Sequence, residues 1–489
     1  MTKSDLPEED TDYFLSTIFK QPWVLVLVIV SIFVAMWVVI FGLPKAEGSL
    51  PKTTYEPKIR EHLDHGPFFQ KAFANPHDVT RACLECHQDS ARQMMKTAHW
   101  NWLGNKVTVP GHKDPVRIGK RNLINNFCIG IKGNWASCTR CHAGYGWKDE
   151  KFDFEDQSSV DCLVCHDRTG SYLKGNAGLP RKGVDLLAVA KGVGYPRRDN
   201  CGVCHHYGGG GLGVKHGDLD NTLDNPTVSD DVHMGRENML CIDCHVTNDH
   251  DIAGRSMSVS VERSNGVSCT DCHDQSPHID ARLNAHTTAV ACETCHIPTY
   301  ARRVPTKMHW DWSKAGDSNR KEDIHEYLKI KGEFIYDNDT IPTYRWYNGS
   351  AHRYLLGDPM PPDGVTLINE PIGNINDPSA KIHPFKVHVA LQPYDVDRKV
   401  LLQPVTSGDG GYWHDFDWDK ALRLGSKVTQ EAFSGNFGFA ETKMYWPLSH
   451  MVTPKENALR CDDCHGERSR FDWSSLGYVG DPITTGGRR

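Results

Sequence analysis

Eight copies of Cys-x-x-Cys-His constrain this chain more than any other feature, and they use sixteen of its seventeen cysteines. They are CLECH (Cys83, Cys86, His87), CTRCH (Cys138, Cys141, His142), CLVCH (Cys162, Cys165, His166) and CGVCH (Cys201, Cys204, His205). CIDCH (Cys241, Cys244, His245), CTDCH (Cys269, Cys272, His273), CETCH (Cys292, Cys295, His296) and CDDCH (Cys461, Cys464, His465) follow. This is the attachment spacing of c-type haem, in which two thiols form thioethers with porphyrin vinyl groups and the adjacent histidine reaches the iron. Structural zinc or disulfides are the competing reading. A zinc site, however, does not require a histidine directly after every second cysteine. Eight covalent haem c groups are therefore expected, and they decide what the fold can be.

The 489 residues are only 39% apolar, and the mean hydropathy is negative, which looks short of core for such a length. Eight large apolar discs would supply the missing core. With roughly one motif per 55 residues beyond the N-terminal segment, most of the chain must be loops and short helices wrapped round porphyrins. The expected fold is a multihaem cytochrome c, mainly α-helical and loop-rich with little β, with a core of stacked haems and one N-terminal transmembrane helix. The formal charge is −7, and haem propionates would add to it. That argues against a nucleic-acid partner, and an anionic substrate would need a local cationic pocket.

Trp23 to Leu43 run twenty-one residues without a charge, long enough to span a bilayer as a helix. A cleaved signal would have a basic start, a shorter apolar region and a small-residue cleavage site. Here the preceding segment is mainly acidic and Pro44-Lys45 follows directly. The organisation expected is a short cytoplasmic tail (1–21), a transmembrane anchor (22–43), a linker (44–60) and an octahaem domain (61–489). Lysine and arginine counts on the two sides do not orient the anchor. Covalent haem attachment occurs outside the cytoplasmic membrane, so the haem domain is expected to face the periplasm or its equivalent.

Seven motifs lie between residues 83 and 296, and the eighth is near the C-terminus. The 164 residues between His296 and Cys461 are rich in Trp, Tyr and His and carry no attachment motif. Hairpins, loops and helices that cover the haems and return histidines to them are expected there. Thr453-Pro454-Lys455-Glu456 reads as a capping box starting a helix that runs through Cys461 to His465 and stops at Gly466. Asp78 to Ala98 lacks Gly and Pro and should place Cys83 to His87 on a helix. Tyr207 to Gly217 (YGGGGLGVKHG) must be an irregular loop.

Each haem iron has two axial positions. Beyond the eight motif histidines the chain has eighteen more, enough to cap every haem. His65, His99, His216, His233, His250, His286, His352 and His450 sit in aromatic, Met or turn contexts near motifs and are the ligand candidates. His62, His77, His112, His325, His383, His388 and His414 read as bystanders.

Several unusual segments carry a resemblance: DHGPFF, INNFC, CTRCHAGYGW, VDCLVCHDRTGSY, CHHYGGGGLGVKHGDLD, DVHM, YNGSAHRYLLGD and LSHMVTPKENALRCDDCHG. Over nearly all of residues 61–489 the chain resembles the octahaem tetrathionate reductase family. The resemblance implies seven bis-histidine haems and one active-site haem, the second, held by a lysine although its motif is an ordinary CxxCH. Carried over, that haem attaches at Cys138 and Cys141, and His142 is not its working ligand. Lys215, in the Gly-rich loop, is the first choice for the lysine and Lys174 the second. The family pattern has an acidic residue three before the ligand lysine, and this chain has Leu212 there. The same pattern puts Cys128, the odd cysteine, and Asn125 beside the active haem. Lys113, Arg117, Lys120, Arg121 and Lys132, with only Asp114 against them, are candidates for a cationic pocket wall; the plainer reading is a solvated face.

These features point to a membrane-anchored reductase drawing electrons from a quinol-oxidising protein or a small cytochrome. Its substrate would be tetrathionate, nitrite or hydroxylamine, and His233 with Asp231 could relay protons. The rival reading is an electron conduit, or a quinol dehydrogenase subunit, with every haem bis-histidine. A hydroxylamine or hydrazine oxidase is disfavoured, because only Tyr478 follows the last motif to serve as the porphyrin-linked tyrosine of such enzymes.

Overall fold

The computed structural model describes residues 30, 62–127, 130–257 and 265–488. The tail, the anchor (Val30 apart), the linker and Cys128 lie outside the described residues. Among the described residues no helix is long and apolar enough to cross a membrane.

From residue 62 to about 300 the chain is built of short turns of helix, as the density of motifs demands. Pro76–Leu84 is the longest of them: Asn75 caps it by accepting from the Asp78 N–H, and Pro76 fills the first turn, where no N–H is needed. It carries Cys83 but stops before Cys86 and His87, and a second helix, Ser90–Met94, follows. The single helix expected over this stretch is thus two. Arg198–His205, Cys241–Cys244, Cys292–His296 and Cys461–Cys464 carry four further motifs.

The His87, His166, His245, His273 and His465 N–H groups bond to the first cysteine's carbonyl at 2.8–3.1 Å, and His205 and His296 lie in α-helices that contain their first cysteine. The second motif breaks this pattern. Its turn is tightened to 3-10 over Thr139–Cys141, and the His142 N–H bonds to Thr139 O at 3.0 Å.

The expectation of little β structure is wrong. Residues 306–447 hold an eight-stranded mixed sheet, made of β1 (Thr306–Asp311), β2 (Tyr327–Leu328), β3 (Gly332–Asp337), β4 (Thr343–Tyr347), β5 (Thr366–Leu367), β6 (Lys381–Asp395), β7 (Val400–Leu401) and β8 (Phe437–Pro447). The order is β5-β8-β6-β1-β3-β2, with β4 and β7 also pairing β6. β6 is the spine: it runs antiparallel to β8 from Phe385↔Pro447 to Asp395↔Phe437, and parallel to β1. One face packs Met444 and Trp446 of β8 against Ile124, Phe127 and Val214. Each such buried side chain contributes about 1.5–3 kcal/mol. The sheet thereby packs against the segment that precedes the second motif and the Gly-rich loop that follows the fourth.

The helix expected from Thr453 to Gly466 is also two pieces. The Thr453 N–H goes to His296 O, a single 3-10 turn spans Lys455–Asn457, and Cys461–Cys464 is capped anew by Asp463. Tyr207 to Gly217 is irregular, as expected, with Gly209, Gly210, Gly211 and Gly213 at positive φ.

Candidate functional site

All sixteen motif cysteines line one branched cavity of about 5450 Å³. That is about 680 Å³ for each motif, within the roughly 300–1,000 Å³ of ordinary cofactor pockets. Seven of the eight motif histidines line it too, and each faces a second histidine across a gap. The pairs are His87 with His65, His166 with His250, His205 with His99, His245 with His450, His273 with His233, His296 with His278, and His465 with His286. Ring centres are 6.0–6.4 Å apart in every pair. Two imidazole nitrogens each about 2 Å from a shared metal, plus about 1 Å from nitrogen to ring centre on each side, give about 6 Å. The gaps therefore fit an iron held from both faces.

The chemistry of the donors agrees. A ligating imidazole must be neutral, and burial pushes His205 down to about 3 and His99, His166, His245, His250 and His296 below their ordinary value. Trp446 and Trp473 line the cavity with their indole N–H groups buried and, among the described residues, without a hydrogen-bond partner, as expected beside a group that brings its own acceptors. The residues present fit covalent haem.

The second motif differs. His142 is buried but turned out of the cavity. Its Nε2 lies 2.9 Å from Trp100 O, and its ring is boxed by Trp100, Trp147, Phe152 and Phe154 at 4.8–6.0 Å. Burial pushes it down to about 3, so it stays neutral. Cys138 and Cys141 still face the cavity, as do Asn125 and Lys215. Lys215 Nζ stands 5.2 Å from the centre of the Trp446 ring. Burial pushes its amine down to about 8, Lys120 adds to the fall, and Cys141 is near enough to oppose it electrostatically. A lysine whose neutral form is accessible in this way has the lone pair that a metal ligand needs.

Lys174 does not reach the cavity. Its Nζ pairs with Asp161 at 2.7 Å and donates to His142 O and Gly144 O at 2.6 and 3.2 Å, beneath the second motif. Of the basic stretch only Lys120 lines the haem cavity. Arg117, Arg121 and Lys132 turn to a separate small hollow with Glu431.

Six of the predicted histidines, His65, His99, His233, His250, His286 and His450, stand opposite a motif histidine. His216 does not: it lies edge-on to Trp446 at 5.1 Å, with no motif histidine facing it. His352 stacks beside His112 at 6.5 Å, outside the cavity, where Gly111 makes room for it. The residue missed is His278, opposite and parallel to His296. A signal existed: His278 and His286 are the only histidines between the sixth and seventh motifs. Asp231 caps the turn that carries His233, its side chain accepting from the His233 and Met234 N–H groups.

Attachment turns, paired histidines and a shared cavity define a multihaem c-type cytochrome. A family profile described as "Cytochrome c bacterial" matches residues 307–468, and one described as "Cytochrome c7 and related cytochrome c" matches residues 226–297. An uncharacterized protein of Archaeoglobus fulgidus is 22% identical over 256 residues, covering 42% of this chain and 85% of the relative. The crystal structure of octaheme cytochrome c from Shewanella oneidensis is 46% identical, covers 86% of this chain and 98% of that one, and superposes with a TM-score of 0.81. The chain belongs to the octahaem tetrathionate reductase family of multihaem c-type cytochromes.

Proposed function

We propose that this chain is a membrane-anchored, extracytoplasmic reductase with eight haem c groups, seven bis-histidine and the second held by Lys215. One observation carries the reading. Seven motif histidines each face another histidine about one ligated iron apart, while His142 is turned away and Lys215 enters the cavity beside Cys141. Haem, bound through Cys138 and Cys141 with Lys215 as the protein ligand to its iron, would supply the redox chemistry toward the substrate. The rest falls to the chain. Lys215 offers a σ-donor amine without an imidazole ring. Lys120 brings positive charge to the same wall, which favours an anion in an otherwise acidic protein. Asn125 presents an amide to the cavity. The substrates proposed are tetrathionate, nitrite and hydroxylamine, with electrons from a quinol-oxidising protein or a small cytochrome.

The test is electron paramagnetic resonance and near-infrared magnetic circular dichroism on the purified holoprotein, beside turnover of the three substrates with a reduced dye. One haem with a lysine signature, altered selectively by Lys215→Ala, is expected. Eight bis-histidine spectra with no turnover would replace this reading with the electron conduit.

A further inference from the structure

Lys386 lies in the middle of β6 with none of its surface exposed. Among the described residues no carboxylate is within ion-pair distance of it. Asp218, the acid that acts on it electrostatically, is engaged by His450 Nδ1 and by the Ser449 and His450 N–H groups. A buried ammonium without an ion pair is costly unless its donors are all used. Those of Lys386 are. Its Nζ donates to Val214 O at 3.2 Å, Lys215 O at 3.1 Å and Thr306 Oγ1 at 2.6 Å. Thr306 Oγ1 lies 2.8 Å from both Gly213 O and His216 O, and its single proton serves His216 O, since Gly213 O also accepts a backbone N–H. Backbone N–H groups complete the set, Lys307 to Gly213 O at 2.9 Å and Ala301 to Gly217 O at 2.7 Å.

Five consecutive carbonyls, from Gly213 to Gly217, are thus all held by donors outside the loop. Close approach enforces the same seat: a Cβ on Gly213 would lie 2.2 Å from Pro305 O, and one on Gly217 would lie 2.3 Å from the Tyr300 ring. The second half of a segment that reads as flexible in sequence, residues 213–217, is fastened through its carbonyls to the sheet and to the chain just before it.

We infer that Lys386, relayed by Thr306, is a positioning residue that fastens the Lys215 backbone so that the Lys215 amine is presented to the second haem. This rests on the reading of Lys215 as the ligand. Lys386 touches neither haem nor substrate, and it acts through the carbonyl oxygens of residues 214 and 215.

The experiment compares full-length holoproteins carrying Lys386→Met, Lys215→Ala and Asn369→Ala with the parent, by magnetic circular dichroism and haem content. Asn369 is buried in the same half of the fold, and its side chain bonds to the Tyr445 backbone rather than to the Lys215 loop, so its variant reports general destabilisation. The expected result is that Lys386→Met keeps its haem content and its bis-histidine bands but loses most of the lysine-ligated band, as Lys215→Ala does, while Asn369→Ala keeps it. An unchanged band in Lys386→Met alongside a lost band in Lys215→Ala overturns the positioning role and leaves the ligand standing. An unchanged band in Lys215→Ala overturns both. Equal loss in Asn369→Ala also overturns the positioning role. Should Lys386→Met fail to load haem, Thr306→Val, which removes the relay without removing bulk, is read by the same criteria.

Discussion

Replacing Lys174 by Met separates a structural lysine from a haem ligand. The Lys174–Asp161 pair is almost fully removed from solvent, with side-chain exposures of 2% and 0%. Asp161 also accepts from the Tyr145 and Tyr172 hydroxyls at 2.9 Å each and from the Val164 N–H at 3.1 Å. Burial together with the Asp161 charge pushes both phenols up, so they remain donors. Methionine would fill much the same space but leave a buried carboxylate without its cation. Breaking such a pair from one side costs about 3–5 kcal/mol. At about 2–4 °C per kcal/mol for domains of a few hundred residues, the Tm of the holoprotein should fall by on the order of 10 °C. The double variant Lys174→Met/Asp161→Asn should recover part of the loss, with a coupling of about 0.5–3 kcal/mol. Thermal unfolding followed at the haem absorbance measures both, and circular dichroism at low temperature checks that the lysine-ligated band survives. The reasoning is refuted if Lys174→Met keeps its Tm and loses that band, since Lys174 would then be the ligand and Lys215 would not.

Three further outcomes follow from the same geometry. His278→Ala should convert one bis-histidine haem to a high-spin form, detectable by electron paramagnetic resonance, whereas His216→Ala and His352→Ala should leave the low-spin count unchanged. His142→Phe should cost about 1 kcal/mol for the lost bond to Trp100 O and leave the spectrum of the second haem intact; a new histidine-free signal there would show that His142 had been ligating. Asp395 is buried, which alone would raise its carboxyl, but N–H and O–H donors from Ser434, Arg398 and Asp397 outweigh that and hold it below the ordinary 3.8. Its folded-state pKa is therefore depressed, so its contribution is complete above about pH 4 and lost as pH falls below that. Asp395→Asn should be less stable than the parent at pH 7, and the gap should close on acidification; a pH-independent gap would exclude this account.

What the sequence made legible was what it encodes locally. A haem attachment turn needs five consecutive residues, so all eight are readable without a fold. An axial partner is set by where two distant turns meet, and neighbouring Met or aromatic residues carry little of that information. Local context therefore selected His216 and His352 and passed over His278. The sheet was hidden for a related reason. β6 contains Pro384 and Pro393, which a central strand disfavours. It also buries His383, Lys386, His388 and Gln392, so its pattern is not an apolar alternation. These polar groups are satisfied by distant partners: His388 Nδ1 sits 3.1 Å from Asn126 Oδ1, and Lys386 holds the Lys215 loop. A strand whose buried face is polar reads as a loop until those partners are known.

The second motif shows how five ordinary letters come to turn their histidine away from the cavity. Nothing in CTRCH forbids His142 from turning toward the cavity. Thr139, however, is buried, and its hydroxyl lies 2.9 Å from Trp135 O and 2.5 Å from Trp147 O; donating its one proton to the nearer, Trp147 O, it draws the tightened turn against the chain that follows it. Trp147, Phe152 and Phe154 then close three sides of a box, and Trp100 closes the fourth with its ring while its carbonyl takes the imidazole. The residue before Trp100 is His99, which points the other way, to face His205, while its carbonyl accepts the Ala143 N–H at 3.3 Å. One short segment therefore sets His99 opposite the fourth motif's His205 and retains the histidine of the second. Freeing His142 to ligate would require this segment to move, at the expense of the His99–His205 pair. On the proposed reading, a lysine at the second haem would follow from packing outside the motif, set by residues 97–102 and 139–154 as much as by Lys215 itself.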